Sequence, residues 1–265
     1  MPRFLAQLAF TLAVCAFLVV PVVMSVLAGL SQNYFVGVKS GLTLRWVEQV
    51  LSLYSDSIGL SLTIALACLA ATLVLGVPIA YAFARYPNRV TRLLEELLVL
   101  PVAVPGLATA LALILLYGEW RGFRASWLFI LVGHVVFTLP FMVRSVLAVM
   151  AAIDLATLEE AAASLGAGFT RRFFGVVVPN ARYGILAGAL MVVTLSVGEF
   201  NITWMLHTPL TKTIPVGLAD SYASMRLEIG SAYTIVFFVM IVPLLVAMQW
   251  LARERAPRQT RGDGR

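Results

Sequence analysis

Few side chains in this sequence have the type and spacing to do chemistry. Glu199 is the one carboxylate set well inside an apolar run. His134 and His207 are the two histidines, and neither has a cysteine or an acid at metal-ligand spacing, so no metal site is expected. Cys15 and Cys68 both stand in apolar runs and read as small buried hydrophobes, not as a disulfide. An intramembrane protease would need paired aspartates or a serine–histidine set inside its apolar runs, and no two aspartates meet there. No GxxxxGK[ST] run offers a phosphate cradle. The richest polar stretch is Asp154 to Pro179, DLATLEEAAASLGAGFTRRFFGVVVP. Its residues suit docking, not bond making.

Within that stretch Asp154 is placed to cap a helix, with further acid at Glu159 and Glu160. Leu155, Leu158, Ala162 and Leu165 fall at helical spacing on one face. Gly166 and Gly168 end that helix. Phe169, Phe173 and Phe174 then give a second apolar face with Arg171 and Arg172 opposite. The pattern predicts a short helix, a glycine turn and a second short amphipathic helix, all outside lipid.

The elements that must position this stretch follow from composition. The 265 residues are 61% hydrophobic and 12% charged, with a mean hydropathy of +0.94. A soluble domain averages about 25% charged residues, so the solvent for most of this chain is lipid. Six apolar runs are each long enough to cross a bilayer core of about 30 Å. They run from about 4 to 30, 60 to 84, 93 to 117, 127 to 150, 183 to 206 and 232 to 251. The first has no small-residue cleavage site after it and reads as an uncleaved helix, not a leader. The predicted class is all-α and polytopic, because lipid-exposed backbone must satisfy its own hydrogen bonds. Pro21, Pro78, Pro101, Pro105, Pro140 and Pro243 interrupt the runs, and Leu100 to Gly106 is the predicted break.

Charge sets orientation. With the amino terminus in the cytoplasm, thirteen basic residues lie on that side, at Arg3, Arg85, Arg89, Arg92, Arg144, Arg171, Arg172, Arg182, Arg253, Arg255, Arg258, Arg261 and Arg265. Six lie outside: Lys39, Arg45, Arg121, Arg124, Lys212 and Arg226. The bias predicts both termini inside and Asp154 to Pro179 on the cytoplasmic face. The net charge of +6 belongs to juxtamembrane anchoring and not to nucleic acid, since the arginines cluster beside apolar runs. Trp46, Trp120, Trp127, Trp204 and Trp250 fall near span ends as an aromatic belt. Gly184 and Gly188 form a small-xxx-small pair suited to close helix packing. The implied organisation is 1–58 as a first helix and outer loop, 59–252 as a membrane core carrying loop 154–179, and 253–265 as a cytoplasmic tail. In the outer loop, Asp220, Arg226 and Glu228 read as a solvated face or as a contact for an external protein.

Glu160-Ala161-Ala162, three residues, Gly166, nine residues, Val176, one residue and Val178-Pro179 resemble the EAA loop of permeases from binding-protein-dependent ABC importers. That pattern is E-A-A-x3-G-x9-I-x-L-P, and valine replaces isoleucine and leucine here. Arg85-Tyr86-Pro87, the Leu100-Pro101 break and Ser196-Val197-Gly198-Glu199-Phe200 extend the likeness over most of the chain. The resemblance is nearest the polyamine, phosphonate, thiamine and iron branch. It implies a type I importer fold with one peripheral helix, in a bacterial inner membrane.

By the same resemblance, Glu160, Ala161, Ala162, Gly166, Val176, Val178 and Pro179 couple to a dimer of separate ATP-binding subunits. ATP and magnesium are bound there, and this chain needs no cofactor and is no enzyme. A second permease subunit and an external substrate-binding protein are the other implied partners. The cargo reading is a polyamine or phosphonate-like solute, with iron, sulfate or molybdate as the alternative. A channel or secondary transporter is a remote third reading. Glu199 keeps two readings: a residue lining the pathway, or helix–helix glue paired with Ser196 or Thr203.

Overall fold

The computed structural model describes residues 2–253, and those residues form helices joined by turns. The helices are α1 Pro2–Gly29, α2 Arg45–Leu53, α3 Ser55–Arg85, α4 Arg89–Ala103, α5 Gly106–Tyr117, α6 Arg121–Arg124 and α7 Trp127–Ala152. They continue as α8 Leu155–Ser164, α9 Phe169–Arg172, α10 Val178–Val197, α11 Asn201–Leu206, α12 Ile214–Ala223 and α13 Leu227–Arg253. Five helical stretches are long and apolar enough to span a membrane, and a sixth span results if α4 and α5 count as one bent pair. The all-α, roughly six-span class read from the sequence is the one observed. The tail beyond Arg253 lies outside the described residues.

The third run is not one straight span. α4 and α5 meet at 104°. Pro105 pushes Val104 out of the helical region, to φ −84° and ψ 134°, and Pro101 already removes a donor from the last turn of α4. Pro21, Pro78, Pro140 and Pro243, by contrast, stay inside their helices. α4 starts at a capping box: Asn88 accepts from the Val90 and Thr91 N–H groups, and the Thr91 hydroxyl accepts from the Asn88 N–H. The fifth run also differs. Its helix begins at Phe169 rather than near Tyr183, because the arginines and phenylalanines before the lipid keep helical geometry. It ends at Val197, where Gly198 to Phe200 break it before α11.

Contacts group the chain into two units, residues 1–59 with 212–240 and residues 60–211 with 241–265. In the first, Val50, Ile214, Ile229, Ala232, Tyr233 and Val236 form the core. α1 touches it at its carboxyl end, where a β-carbon on Gly29 would lie 2.7 Å from the Ser231 carbonyl carbon. Its remaining length, from Arg3 to Met24, is exposed and overwhelmingly apolar, the surface of a helix solvated by lipid.

The second unit is built on α7. One core joins α3, α7, α8 and α10 through Cys68, Val77, Tyr81, Met142, Val146, Leu155, Phe173 and Val192. Another joins α3, α5, α7 and α11 through Ile64, Leu113, Phe129, Ile130, Ile202 and Leu206. α10 lies against α7 through the predicted glycine pair. A β-carbon on Gly184 would sit 2.6 Å from the Ser145 carbonyl oxygen and 3.0 Å from the Val146 Cα. One on Gly188 would sit 3.2 Å from the Met142 Cα. The approach at Gly184 is to backbone, which cannot yield to a side chain; at Gly188 the Met142 Sδ is nearer still, at 2.8 Å, with the backbone behind it.

Gly184→Val is therefore expected to force α7 and α10 apart and to lower the thermal midpoint of the solubilised chain. Gly168→Ala should leave it unchanged, since a β-carbon there meets nothing within 4 Å and the backbone is extended at φ −67°, ψ 169°. Equal losses from both variants would contradict the packing account.

Candidate coupling site

α8 is fixed at both ends by its own sequence. The Asp154 Oδ2 accepts a 2.6 Å hydrogen bond from the Thr157 hydroxyl, and Oδ1 accepts from the Thr157 N–H at 3.2 Å. These bonds favour the ionised form and hold the Asp154 carboxyl below its usual range. At the other end Gly166 has φ +79°. The Ala167 N–H reaches the Ala162 carbonyl at 3.0 Å and the Gly166 N–H reaches Ala163 at 2.8 Å, a Schellman cap. The left-handed backbone at 166 costs a residue with a β-carbon about 1–2 kcal/mol.

The face that α8 turns inward carries Leu155, 4% exposed, and Glu159, 1% exposed. Leu165 is not on it. It lies past the helix end at 88% exposure, and Leu158 is 38% exposed. The four-residue apolar face read from spacing is thus divided, because the helix stops before its period reaches 165. Glu160, Ala161 and Gly166 are exposed, Ala162 is half-buried, and Phe169 and Phe174 present 58% and 66% of their surface. Glu160, Leu165, Gly166 and Phe169 together make an open rim around the turn.

The second helix is not separate. α9 runs through a π turn at Phe173–Val177 into α10. The Val178 N–H bonds the Phe173 carbonyl, five residues back. Pro179, exposed at the start of α10, brings no N–H, and the extra residue in the turn accommodates it. The Asn180 Nδ2 satisfies the Val176 carbonyl at 2.7 Å. Val176 and Val178 are half-buried beside it.

What spacing did not reveal is the partner of Glu159. The Tyr81 hydroxyl donates to Oε1 at 2.9 Å and Oε2 at 3.1 Å. The Arg85 Nε lies 3.2 Å from Oε2, and its Nη2 lies 3.9 Å from the exposed Glu160 Oε1. Removing one member of a buried pair leaves an uncompensated charge, at about 3–5 kcal/mol; Arg85 is 29% exposed, which lowers that figure. The available signal was the helical step from Leu155 to Glu159, together with Tyr81 and Arg85 one turn apart at the end of the second run.

A second polar set lies within the core of the same unit. His134 Nδ1 is 2.8 Å from the Ser196 hydroxyl and Nε2 is 2.8 Å from the Thr203 hydroxyl. The Glu199 carboxylate, 8% exposed, accepts from the Ile202 N–H at 2.7 Å, the Thr203 N–H at 2.8 Å and the Thr203 hydroxyl at 2.7 Å. It sits 3.7 Å from His134 Nε2. Thr138 bonds the His134 carbonyl and lies 3.1 Å from the Cys68 sulfur. This network ties α3, α7, α10 and α11 where the fifth span breaks. The Glu199 oxygens cap the first N–H groups of α11.

Long apolar helices, two of them meeting at 104°, and a capped hairpin with an exposed rim define a polytopic α-helical membrane protein. Residues 72–257 match the family described as binding-protein-dependent transport system inner membrane component. The chain belongs to that family, and it is the permease subunit of an ABC importer. It is 29% identical over 218 residues to the molybdenum transport system permease protein ModB of Escherichia coli, covering 75% of this chain and 95% of that one. It is 27% identical over 259 residues to the putrescine transport system permease protein PotI of the same species, covering 92% and 89%. In fold it matches a chain of a bacterial ABC transporter involved in the import of the acidic polysaccharide alginate, with a TM-score of 0.73 over 96% of both chains at 16% identity.

Glu199→Gln keeps the shape of the cap but turns one acceptor into a donor facing the N–H groups of α11. It is expected to cost about 1–3 kcal/mol of stability, the penalty for a buried polar group left unmatched. Thermal unfolding of the solubilised chain measures this. An unchanged midpoint would mean that the α11 cap is dispensable.

Proposed function

We propose that this permease forms part of the translocation pathway for a small solute delivered by an external binding protein, and that α8 and α9 are its coupling hairpin. The supporting observation is the rim of Glu160, Leu165, Gly166 and Phe169. It sets the apolar Leu165 and Phe169 beside the charged Glu160, is exposed, and is held in one shape by caps at both ends of α8. A groove on a separate ATP-binding subunit is the partner that such a rim fits. That subunit, as a dimer, binds ATP and magnesium, and this chain hydrolyses nothing. A second permease subunit completes the pathway, and both termini lie in the cytoplasm.

The cargo we favour is a polyamine or phosphonate-like solute. The likeness to the putrescine permease supports this, since it extends over 92% of this chain against 75% for the molybdenum permease. Molybdate, sulfate or iron is the alternative, carried by the higher identity to the molybdenum protein. Of the two readings of Glu199, its hydrogen bonds to the α11 N–H groups and to the Thr203 hydroxyl support the packing role, and lining of the pathway is the alternative. Isolating the binding protein encoded beside this permease and measuring which solute it holds decides the cargo.

Two results test the machinery. Gly166→Asp and Glu160→Lys are expected to reach the membrane at normal level, to lose the copurifying ATPase subunit and to abolish uptake. Normal copurification and uptake by both would remove the coupling role from this hairpin. Reporter fusions at Arg265 and near Lys212 are expected to report opposite sides of the membrane, as the basic-residue bias requires. The same side for both would overturn the six-span arrangement.

A further inference from the structure

α8 and α9 are joined to the spans in two ways. The covalent connections are irregular. Between α7 and α8 the chain leaves helical geometry, with Ile153 at φ −110°, ψ 150° and Asp154 at φ −77°, ψ 75°. Between α9 and α10 the helix is continuous, but its hydrogen bonding changes from α to π register at Phe173–Val177. A push on the hairpin meets non-helical backbone at one end and a change of helical register at the other.

The non-covalent connection is tight and acts on both arms at once. The Tyr81 hydroxyl and the Arg85 guanidinium hold the Glu159 carboxylate on α8. The Tyr81 ring meets Phe173 edge-on at 5.3 Å and Phe169 at 6.2 Å, and those two rings stack at 6.0 Å. One turn of α3 thus grips the hairpin before and after the Gly166 turn. Arg85 also approaches the exposed Glu160 at 3.9 Å, so a contact made on the rim reaches the same guanidinium.

We infer that Tyr81 and Arg85 are positioning residues that make the hairpin and α3 one moving body, so that displacement of the rim enters the membrane through α3 and not through the helices that α8 and α9 adjoin in sequence. The inference rests on the coupling role proposed above for the hairpin. A buried carboxylate held by a hydroxyl and a guanidinium resists sliding, because any shift strands a charge where water cannot replace the lost partner. Neither the non-helical link at Ile153 and Asp154 nor the π turn strands a buried charge when it bends.

The test uses the full chain assembled with its ATPase subunit in lipid nanodiscs, with Cys15 and Cys68 replaced by alanine. Spin labels go at Ala163, which is exposed on α8, and at Val74, which is exposed on α3. The probes are magnesium ATP and vanadate. In the otherwise unaltered chain the distance between labels is expected to stay the same with and without trapped nucleotide. In Tyr81→Phe with Arg85→Met the distance is expected to shift on trapping while ATP hydrolysis continues. Arg85→Lys, which keeps the charge, should restore the constant distance.

A shift in the unaltered chain would overturn the inference. So would a constant distance in the double variant, or failure of Tyr81→Phe, Arg85→Met and Arg85→Lys alike to reach the membrane, which would reduce the contact to a folding requirement. Loss of the hairpin's coupling role is read separately, from ATPase copurification with Gly166→Asp.

Discussion

A carboxylate withdrawn from water must find both charge and hydrogen bonds in the protein. Glu159 finds them in Tyr81 and Arg85, and the hairpin end of this permease is arranged around that need. The carboxylate fixes the rotation of α8, which sends Leu155 inward and Glu160 outward. It fixes where α8 sits along α3, and the rings of Phe169 and Phe173 close over Tyr81 from the other arm. With those positions set, the Schellman turn at Gly166 is the short way round, and the exposed rim follows from it. The apolar surface at Leu165 and Phe169 is the part of the hairpin left over once the inner face has been used.

A second constraint comes from lipid, where each interrupted backbone group needs an internal substitute. The chain meets it case by case. Where the fifth span breaks after Val197, the Glu199 carboxylate takes the open N–H groups of α11. At the far end of α11 the Arg124 guanidinium takes the carbonyls of Leu206 at 2.7 Å and Met205 at 3.4 Å. Where Pro179 withholds an N–H, the preceding π turn and the Asn180 side chain re-satisfy neighbouring carbonyls. At these three places a polar side chain is a local replacement for a missing backbone bond, and its position follows the break.

How much of this the sequence disclosed depends on the range over which each signal acts. Apolar run length is summed over some twenty residues and so gave the spans, and the spacing of Gly184 and Gly188 gave a real backbone approach. Asp154, Gly166 and the Leu100–Gly106 break act over short stretches of chain and were legible for that reason. The angle at that break was not, since a proline marks where a helix yields and neighbouring packing decides how far. Leu165 was misassigned because its spacing from Leu158 is helical, while the glycine after it had already ended the helix. The Tyr81–Glu159 contact was missed for another reason. It joins residues 78 positions apart, and although each local pattern marks its own inward face, neither identifies the other as its partner.

The adjacent acids at 159 and 160 make the same point in its sharpest form. They are chemically alike, and successive residues on a helix differ by about 100° in direction. That rotation puts one carboxylate at 1% exposure against α3 and leaves the other exposed beside the turn. The motif that identifies the family begins at Glu160, whose polar contact within this chain is a 3.9 Å approach to Arg85. Glu159 precedes the motif and holds the hairpin in place. A surface proposed to meet another protein must be presented by something rigid, and a side chain committed to presenting it cannot also be the contact. Two neighbouring acids on one short helix are placed to divide those tasks, one buried against α3 and one exposed, and Arg85 is within reach of both.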